Sequence, residues 1–423
     1  MKSIRIHLSI LVLLGAARAA TAQVTAIRAG LLVDPAAGTA ARDQVILVEK
    51  GKITAVGSAA STPIPPGASV LDLSKRTVLP GFFDAHTHLC LNLDTQEGAG
   101  LPALLRSLLA ATAIETTAYR SIEGVANARE MLRSGFTTVR DVGNAGNYAD
   151  TALRRAIEDG LVPGPTVVNA GRIIGPYGGQ YHGLPPERAD IAIPEYLYAD
   201  TPDEIRKAVR ENVAFGAKVI KIAVDDQPYL YSVDDVKIFV REAAAAGVKV
   251  AAHCATDEGS RVAAEGGVAS VEHGYRASNP TLQIMKAKGV YLVGTDFTVQ
   301  ASKAMGMDEY HPLVVDRLKR AYQIGVPVAF GTDVVFVKEG ETRGTLSIEF
   351  ITSFVEAGVA PKLILQAMTV NAAKLLGMEK ERGAIAPGFA ADIVATPENP
   401  LEKIDTVRHV AFVMKDGKVA RND

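Results

Sequence analysis

The sequence predicts an α/β protein in which a (β/α)8 TIM barrel carries a small β-sandwich formed from both termini. In the middle of the 423-residue chain, eight short apolar runs alternate with longer stretches rich in Ala, Leu and Glu. Strands that are apolar on both faces and are each followed by a helical pattern indicate a parallel sheet covered by helices, and eight such units close into a barrel. The two ends of the chain instead show short β-branched runs broken by turn residues, which favours a separate β domain.

The domain boundaries are predicted where these patterns change. Residues 1–22 have the features of a secretory signal peptide, with Lys2 and Arg5 before an apolar run and an A-x-A cleavage site that ends at Ala22. The apolar run is shorter than the roughly 20 residues of a spanning helix, so we expect export to a bacterial periplasm and no membrane contact after cleavage. We assign residues 23–79 and 381–423 to the two parts of the sandwich and residues 80–380 to the barrel.

The composition excludes several classes of protein. The chain has 45 Lys and Arg against 47 Asp and Glu, and no basic cluster is interleaved with aromatic residues, so nucleic acid is not an expected partner. The only cysteines are Cys90 and Cys254, which rules out a scaffold built on disulfides. Because they follow different predicted strands, we expect two free, partly buried thiols rather than a bridge.

Residue types that bind metals lie at the carboxyl ends of several predicted barrel strands, where barrel active sites are built. The eight strands are predicted at 78–88, 137–142, 166–174, 218–224, 249–254, 270–273, 291–295 and 326–333. The residues in question are His86, His88, Lys221, His253, His273 and Asp333. Four of the eight histidines in the chain belong to this group, a concentration that random placement does not explain. The pattern therefore predicts a metal site.

The pair His86 and His88 begins the argument for that site. Side chains at i and i+2 of a strand point to the same face, so the two imidazoles project together. Taken alone, a His-x-His pair is weak evidence, because histidines reach this spacing by chance. It gains weight from the ligand types at the other strand ends.

Lys221 needs a separate explanation, because an ammonium group cannot coordinate a cation. The alternation within 216–224 places Lys221 on the face with small residues, which suits a narrow barrel interior. A buried ammonium beside imidazoles is costly unless it is chemically changed, and reaction of the neutral amine with carbon dioxide would give a carbamate able to bridge two cations. The alternative is a buried lysine paired with Asp141 or Asp333.

Seven short motifs spread over the mature chain carry a family resemblance. They are Leu-Pro-Gly-Phe-Phe-Asp-Ala-His-Thr-His at 79–88, Thr-Val-Arg-Asp-Val-Gly at 138–143, Val-Ile-Lys-Ile at 219–222, Ala-His at 252–253, Glu-His-Gly at 272–274, Gly-Thr-Asp at 331–333 and Pro-Gly-Phe-Ala-Ala-Asp-Ile-Val at 387–394. Together they resemble the amidohydrolase superfamily, in its imidazolonepropionase-like and Xaa-Pro dipeptidase-like branch.

The resemblance implies the arrangement of a binuclear metal centre. His86, His88 and Asp333 would bind the more buried ion, His253 and His273 would bind the second, and carbamylated Lys221 would bridge the two. Zinc is usual in the superfamily, although imidazole and carboxylate ligands also hold Mn²⁺, Co²⁺ or Ni²⁺. A homo-oligomer is expected on the same basis.

Such a centre makes hydroxide available near neutral pH and polarises a substrate carbonyl, while Asp333 can pass a proton to the leaving amine. We therefore expect a metal-dependent hydrolase of an amide bond in a small-molecule substrate, a dipeptide or N-acyl amino acid. The same hydroxide could attack a lactone, a phosphoester or an amide-linked toxin. A mononuclear deaminase would lack the bridging lysine, and a non-enzymatic metal-binding protein would be expected to lack a ligand.

Substrate contacts are predicted at four residues. His182 lies in the glycine-rich loop 175–183, where the superfamily commonly places a histidine near the metals, although Gln180 and Tyr181 here separate it from the preceding glycines. Tyr229 and Tyr231 could bond a substrate carboxylate or carbonyl oxygen, and Arg276 is the nearest cation after His273. We predict catalytic roles for His182 and Tyr231, with a surface or interface position as the alternative for each of the four. Asp141 and Glu272 are expected to orient neighbouring groups.

Overall fold

The computed structural model describes residues 24–94, 101–181, 183–225, 229–336 and 338–423. The signal peptide predicted at 1–22 and the predicted substrate residue His182 lie outside these ranges. The described strands are β1 (Thr25–Asp34), β2 (Thr39–Glu49), β3 (Lys52–Ser58), β4 (Ser69–Pro80), β5 (Phe82–Thr87), β6 (Phe136–Asp141), β7 (Thr166–Asn169), β8 (Ile173–Gly175), β9 (Tyr196–Tyr198), β10 (Val219–Ala223), β11 (Lys249–Cys254), β12 (Ser270–His273), β13 (Tyr291–Val293), β14 (Ile393–Thr396), β15 (Phe412–Lys415) and β16 (Lys418–Asn422).

Helices separate most of the parallel strands. The described α-helices are α1 (Leu101–Ile114), α2 (Thr117–Arg133), α3 (Ala149–Glu158), α4 (Pro202–Ala214), α5 (Val233–Ala245), α6 (Asp257–Gly266), α7 (Asn279–Lys288), α8 (Val299–Met305), α9 (His311–Ile324), α10 (Arg343–Ile348), α11 (Ile351–Glu356), α12 (Pro361–Gln366) and α13 (Ala372–Leu376). Short 3-10 turns occur at Gly179–Tyr181, Pro186–Ala192, Asp308–Tyr310 and Ile404–His409, and a π-helical turn at Ala367–Asn371 joins α12 to α13. None of the helices in the described ranges has both the length and the apolar character needed to cross a bilayer.

Strands from both ends of the chain meet in one seven-stranded sheet, in the order β16-β15-β14-β4-β1-β2-β3. The join is the antiparallel pairing of β4 with β14, in which Leu79 lies opposite Val394. Apolar side chains from β1, β2, β3, β4, β14 and β15 form a core of their own, separate from the core under the helices. Where the sequence predicts a two-layer sandwich, the hydrogen bonding therefore connects all seven strands as one sheet.

The remaining strands form two parallel sheets, one in the order β5-β6-β7 and one in the order β13-β12-β11-β10-β8-β9. Backbone hydrogen bonds also connect the two sheets at both ends. At one end, Lys218 donates directly to Asn169 of β7 (2.7 Å); at the other, the segment 326–333 lies between them, with Ala85 of β5 donating to Phe330 (2.8 Å) and Ala329 donating to Leu292 of β13 (3.0 Å). The carboxyl ends of these strands consequently face the same side of the domain.

The predicted eighth strand at 326–333 is wrong as a strand, since the described residues there form only an isolated bridge between Val328 and Leu292. Pro327 has no N–H to donate to a ladder, and Phe330 donates its N–H to the carbonyl of Ala367. Asp333 then has a φ of 58°, outside the β region. The segment still runs beside β13 and β5, so it delivers Asp333 to the same side as the true strand ends.

Two other predicted strands are each interrupted at a glycine. The run 78–88 is interrupted at Gly81, between the end of β4 and the start of β5: Gly81 donates its N–H to Asp392 on the terminal sheet side, and Phe82 donates to Gly135 next to β6. The run 166–174 splits into β7 and β8 at Gly171, which has a φ of 71° and donates its N–H to Asp150 at 2.7 Å.

The two cysteines are free, as predicted, but their burial is complete rather than partial. Burial raises the pKa of both thiols, Cys90 and Cys254, well above the ordinary value. They therefore behave as small apolar core residues rather than as nucleophiles or ligands.

Candidate metal centre

The structure brings all six predicted ligands to one cavity of about 360 Å³ at the carboxyl ends of the parallel strands. His86 lies in β5 and His88 just after it, Lys221 lies in β10, His253 in β11, His273 at the end of β12, and Asp333 after the segment 326–333. The short strands allow this convergence, because every residue of β5, β10 and β12 is buried and alternate side chains point inward.

The donor atoms are close enough to share a metal ion. One ligand atom each from His86, His273 and Asp333 lie within 4.8 Å of one another. His88 Nε2 lies 3.1 Å from Asp333 Oδ1, and His86 Nε2 lies 3.7 Å from the same oxygen. The rings of His253 and His273 are 4.5 Å apart between centroids. Among the described residues, the buried Nε2 of His86 has no hydrogen-bond partner. Imidazole nitrogens and a carboxylate in this arrangement fit a divalent cation such as Zn²⁺.

Hydrogen bonds at Nδ1 orient the rings of two of the histidines. His86 donates Nδ1–H to Glu272 Oε2 at 2.7 Å, and His88 donates Nδ1–H to the carbonyl of Gly143 at 2.7 Å. With Nδ1 of each ring bonded to an acceptor, Nε2 is the nitrogen that each ring turns toward the cavity. Nε2 is therefore the atom through which either ring would bind a metal ion.

Glu272 is itself held by a buried cation. Arg140 donates to Glu272 Oε1 at 2.7 Å, to Ser270 Oγ at 2.9 Å and to the carbonyl of Ala85 at 2.6 Å. Neither Arg140 nor Glu272 has more than 1% of its surface exposed. The pair thus connects β5, β6 and β12 beneath the site and sets the orientation of His86.

Asp141 positions the backbone around His88 rather than a side chain. Its carboxylate accepts from the N–H of Leu89 at 2.6 Å and from the N–H of Gly143 at 3.2 Å, and Gly143 in turn holds His88. Burial raises the pKa of Asp141 to about 7, against the lowering effect of these hydrogen bonds.

Within the described residues, Lys221 is not held by an ion pair. Its side chain lines the cavity with 3% of its surface exposed, and no carboxylate in the described ranges lies within 4.0 Å of Nζ. Asp141, one of its two alternative partners, already binds backbone N–H groups. Burial lowers the pKa of Lys221 to about 8, so a larger fraction of this amine is neutral at pH 7 than in an exposed lysine.

Asp333 keeps its charge despite its position. Burial alone would raise the pKa of its carboxyl group, but the imidazoles of His86 and His88 and the amine of Lys221 lower it to about 2. The side chain remains 24% exposed, toward the cavity. A carboxylate is therefore present at the mouth of the ligand cluster at neutral pH.

Four residues at the strand ends have the left-handed backbone conformation that side chains rarely adopt. They are Asn144 (φ 50°), His273 (φ 64°), Thr295 (φ 47°) and Asp333 (φ 58°). Each costs roughly 1–3 kcal/mol, and such residues cluster at functional sites. Of these, Asn144, His273 and Asp333 line the cavity, and Thr295 lies 2.9 Å from Nδ1 of His273.

The structure does not bring Tyr231 to the cavity, which corrects its predicted catalytic and substrate roles. Only 4% of its surface is exposed, its ring packs against Phe239 with centroids 5.2 Å apart, and its hydroxyl donates to the carbonyl of Ala199 at 2.7 Å. These contacts place Tyr231 in the core beneath α5. The sequence shows only that Tyr231 follows the strand, which ends at Ala223, and no strand alternation fixes the direction of its side chain.

The other predicted substrate residues are not part of the described lining. Tyr229 is 69% exposed, and the guanidinium of Arg276 lies over the ring of Tyr310, 5.4 Å from its centroid. Tyr310 lines the cavity, whereas Arg276 is exposed and contacts this ring from outside the lining. His182 is outside the described residues and its role stays a prediction.

Sequence reasoning missed most of the cavity wall. Apart from the six ligands, the lining residues are Leu91, Leu93, Leu104, Leu105, Leu108, Asn144, Ile173, Gln180, Ala255, Tyr275, Met305, Met307, Tyr310 and Val335. Tyr275 stands two residues after His273, and its hydroxyl lies 3.1 Å from Nδ1 of that histidine. Its nearness in sequence to His273 is the signal that could have found it. The leucines of α1 give no such signal, because an apolar helix stripe more often faces a core.

Comparison with known proteins agrees with this geometry. The amidohydrolase family profile matches residues 77–420. An ochratoxinase from Aspergillus niger is 29% identical over an alignment that covers 94% of this chain and 87% of that protein. An imidazolonepropionase from Symbiobacterium thermophilum is 28% identical over 92% of this chain and 89% of its own length. The crystal structure of a Xaa-Pro dipeptidase with bound methionine superposes with a TM-score of 0.82 at 28% identity, covering 94% of this chain and 99% of that one.

Proposed function

Because this chain belongs to the amidohydrolase family, whose members are hydrolases of amide and related carbon–nitrogen bonds, we propose that it uses two divalent metal ions to hydrolyse the amide bond of a dipeptide or N-acyl amino acid. The observation that carries the proposal is the convergence of the six ligand-type residues on one cavity.

The proposed ligands divide into two sets. His86, His88 and Asp333 would hold an inner ion, His253 and His273 an outer ion, and Lys221 would bridge them as its carbamate. Zinc is the proposed metal, and when bound such ions lower the pKa of a bound water to near neutrality and polarise a substrate carbonyl. The orientation of His86 and His88 supports this division, since both rings present Nε2 to the same carboxylate oxygen.

The chain itself would supply the proton transfers and the bridging group. The carboxylate of Asp333 is ionised at neutral pH, so it can accept a proton from the attacking water and return it to the leaving nitrogen of the amide. The lowered pKa of Lys221 favours its neutral amine, whose nitrogen can bond to the carbon of CO₂ and release a proton, leaving a carbamate anion. That reaction replaces a buried positive charge with a negative one among imidazoles.

Two further parts belong to the proposal. The parallel strands would close into a (β/α)8 barrel, which the backbone hydrogen bonds from β7 to β10 and from the segment 326–333 to β5 and β13 support. The mature protein would be exported to a periplasm, a proposal that rests on the sequence pattern of residues 1–22 alone.

A second candidate substrate is an ochratoxin. The observation that favours it is the similarity to the Aspergillus niger ochratoxinase across 94% of this chain. A mononuclear deaminase is less favoured, because Lys221 lines the cavity beside the histidines.

The test is hydrolysis by the purified mature chain. With added zinc and bicarbonate we expect release of free amine from members of a panel of dipeptides, N-acyl amino acids and ochratoxin, and loss of that activity after treatment with a chelator. Lys221→Ala should abolish hydrolysis, and short carboxylic acids should restore part of it by replacing the carbamate. The control is Lys218→Ala, which removes an exposed lysine at the entry to the same strand and should leave the rate unchanged. A fully active Lys221→Ala variant would refute the bridging role.

A further inference from the structure

One side of the cavity is formed by a leucine wall, which comprises Leu91, Leu93, Leu104, Leu105, Leu108 and Val335. Leu91, Leu93 and Val335 are at most 9% exposed, and Leu104 and Leu108 pack on them in one apolar cluster. Leu104 and Leu108 lie four residues apart on α1 and so share one face of that helix. Leu105 is 42% exposed although it is part of the lining. Apolar surface that faces the cavity is available for contact with a ligand.

Apart from the amide groups of Asn144 and Gln180, the rest of the lining adds little that could bind a charged group. Tyr275, Met305 and Tyr310 extend the apolar surface. Of the lining residues in the described ranges, Lys221 and Asp333 are the ones with a formal charge apart from the imidazoles, and both belong to the metal centre. Binding of a substrate would therefore draw on apolar contact more than on ion pairing.

The leucine wall is held in place by polar contacts on its far side. Arg343 is 5% exposed and donates to the carbonyl of Leu91 at 2.7 Å and to Asn92 Oδ1 at 2.5 Å. On α1, the hydroxyl of Thr112 lies 3.0 Å from that of Tyr181. A wall fixed in this way loses little conformational freedom when a ligand binds, so more of the contact energy appears as affinity.

We propose that the leucine wall is a subsite for a large apolar group of the substrate, an alkyl chain or aromatic ring attached near the scissile carbonyl. The proposed function supplies the reaction, and this inference adds that small polar dipeptides are poor substrates. A cavity of about 360 Å³ is at the lower end of the roughly 300–1,000 Å³ of small-molecule sites, enough for one such group beside the metal centre.

The test measures binding without a reaction. Calorimetric titration of the zinc-loaded protein with 2-butanone to 2-nonanone uses ligands that have a carbonyl group and no C–N bond to cleave. Each buried methylene is worth roughly 0.8 kcal/mol, so we expect about fourfold tighter binding for each added carbon.

Variants locate the contact. In Leu108→Asn and in Leu105→Asn, the affinity for the ketones should rise less steeply with chain length. Leu105 is the safer of the two positions, because its side chain is partly exposed and its replacement is less able to unfold the protein. The matched control is Ile114→Asn at the end of the same helix, where the side chain is 74% exposed and outside the lining of this cavity. The Ile114→Asn variant should keep the full increase of ketone affinity with chain length.

The outcome separates this inference from the proposed function. Affinity that does not rise with chain length, or that rises as steeply in Leu105→Asn and Leu108→Asn as in the wild type, overturns the subsite even if amides are hydrolysed. A rise that both variants lose supports the subsite even if no amide in the panel is cleaved, in which case the proposed reaction alone fails.

Discussion

Replacing Glu272 by glutamine should loosen the metal centre without removing a ligand. The carboxylate has no exposed surface, accepts from His86 Nδ1 at 2.7 Å and accepts from Arg140 at 2.7 Å. Glutamine has nearly the same shape but has one oxygen and one NH₂ group where Glu272 has two acceptors. Either His86 or Arg140 must then face a donor, so one of these two contacts is lost.

The magnitudes follow from what each contact does. Loss of a group that orients a metal-binding histidine typically weakens metal binding ten- to a hundredfold, which is about 1.4–2.7 kcal/mol. Arg140 would also be left as a buried charge without its counterion, which lowers the free energy of unfolding by about 3–5 kcal/mol. Both effects apply in full here, since neither side chain is exposed to solvent.

The assay must separate affinity from stability. Zinc affinity is measured by competition with a chromophoric chelator, and the free energy of unfolding by urea titration of the metal-free protein. Glu195→Gln is the matched control, because Glu195 forms an equally buried ion pair with Arg120 but contacts none of the proposed ligands. We expect both variants to lose stability and only Glu272→Gln to lose zinc affinity. Wild-type zinc affinity in Glu272→Gln, or an equal loss in the two variants, would refute the orienting role.

Two further substitutions probe the placement of the site. Tyr231→Phe removes the hydroxyl that binds Ala199, so the free energy of unfolding should fall by about 1–3 kcal/mol while kcat stays at the wild-type value; a tenfold fall in kcat without loss of stability would contradict the core position. Gly331→Ala would place a Cβ 2.9 Å from the Cβ of His86, so zinc affinity should fall by tenfold or more. The control is Gly183→Ala, where the new Cβ meets open space and zinc affinity should equal that of the wild type. Equal zinc affinities in the two variants would contradict the crowding at His86.

The convergence of the ligands could be predicted because it depends on local geometry. A strand alternates its side chains with a period of two, and parallel strands end on one side of the domain, so His86 and His273 reach the same place without knowledge of the whole fold. The same rule could not place Tyr231, because that residue follows β10, which ends at Ala223, instead of lying in it. It fails again at 326–333, because Pro327 interrupts the ladder and the backbone turns at Asp333, and apolar character alone reveals neither.

The leucine wall could not be predicted, for a different physical reason. The apolar stripe of α1 shows which face of the helix avoids water, but the stripe is the same whether that face covers a core or a cavity. Arg140 was missed as well, since a charge inside a strand reads as an exception until its buried partner, Glu272, is known.

A buried ion pair beside the site holds a strained part of the backbone in place. Left-handed conformations at His273 and Asp333 are unfavourable by themselves and persist only where the surroundings determine them. At His273 the surrounding constraint is Arg317, which has no exposed surface and donates to the carbonyl of His273. Arg317 is itself held by Asp296, to whose Oδ1 it donates at 2.5 Å. The ion pair Arg317–Asp296 thus offsets the local strain and turns the imidazole toward the cavity instead of along the strand. A core of apolar side chains could stabilise the same fold, but it could not hold a carbonyl oxygen at one point, and that requirement accounts for a buried cation behind a metal-type ligand.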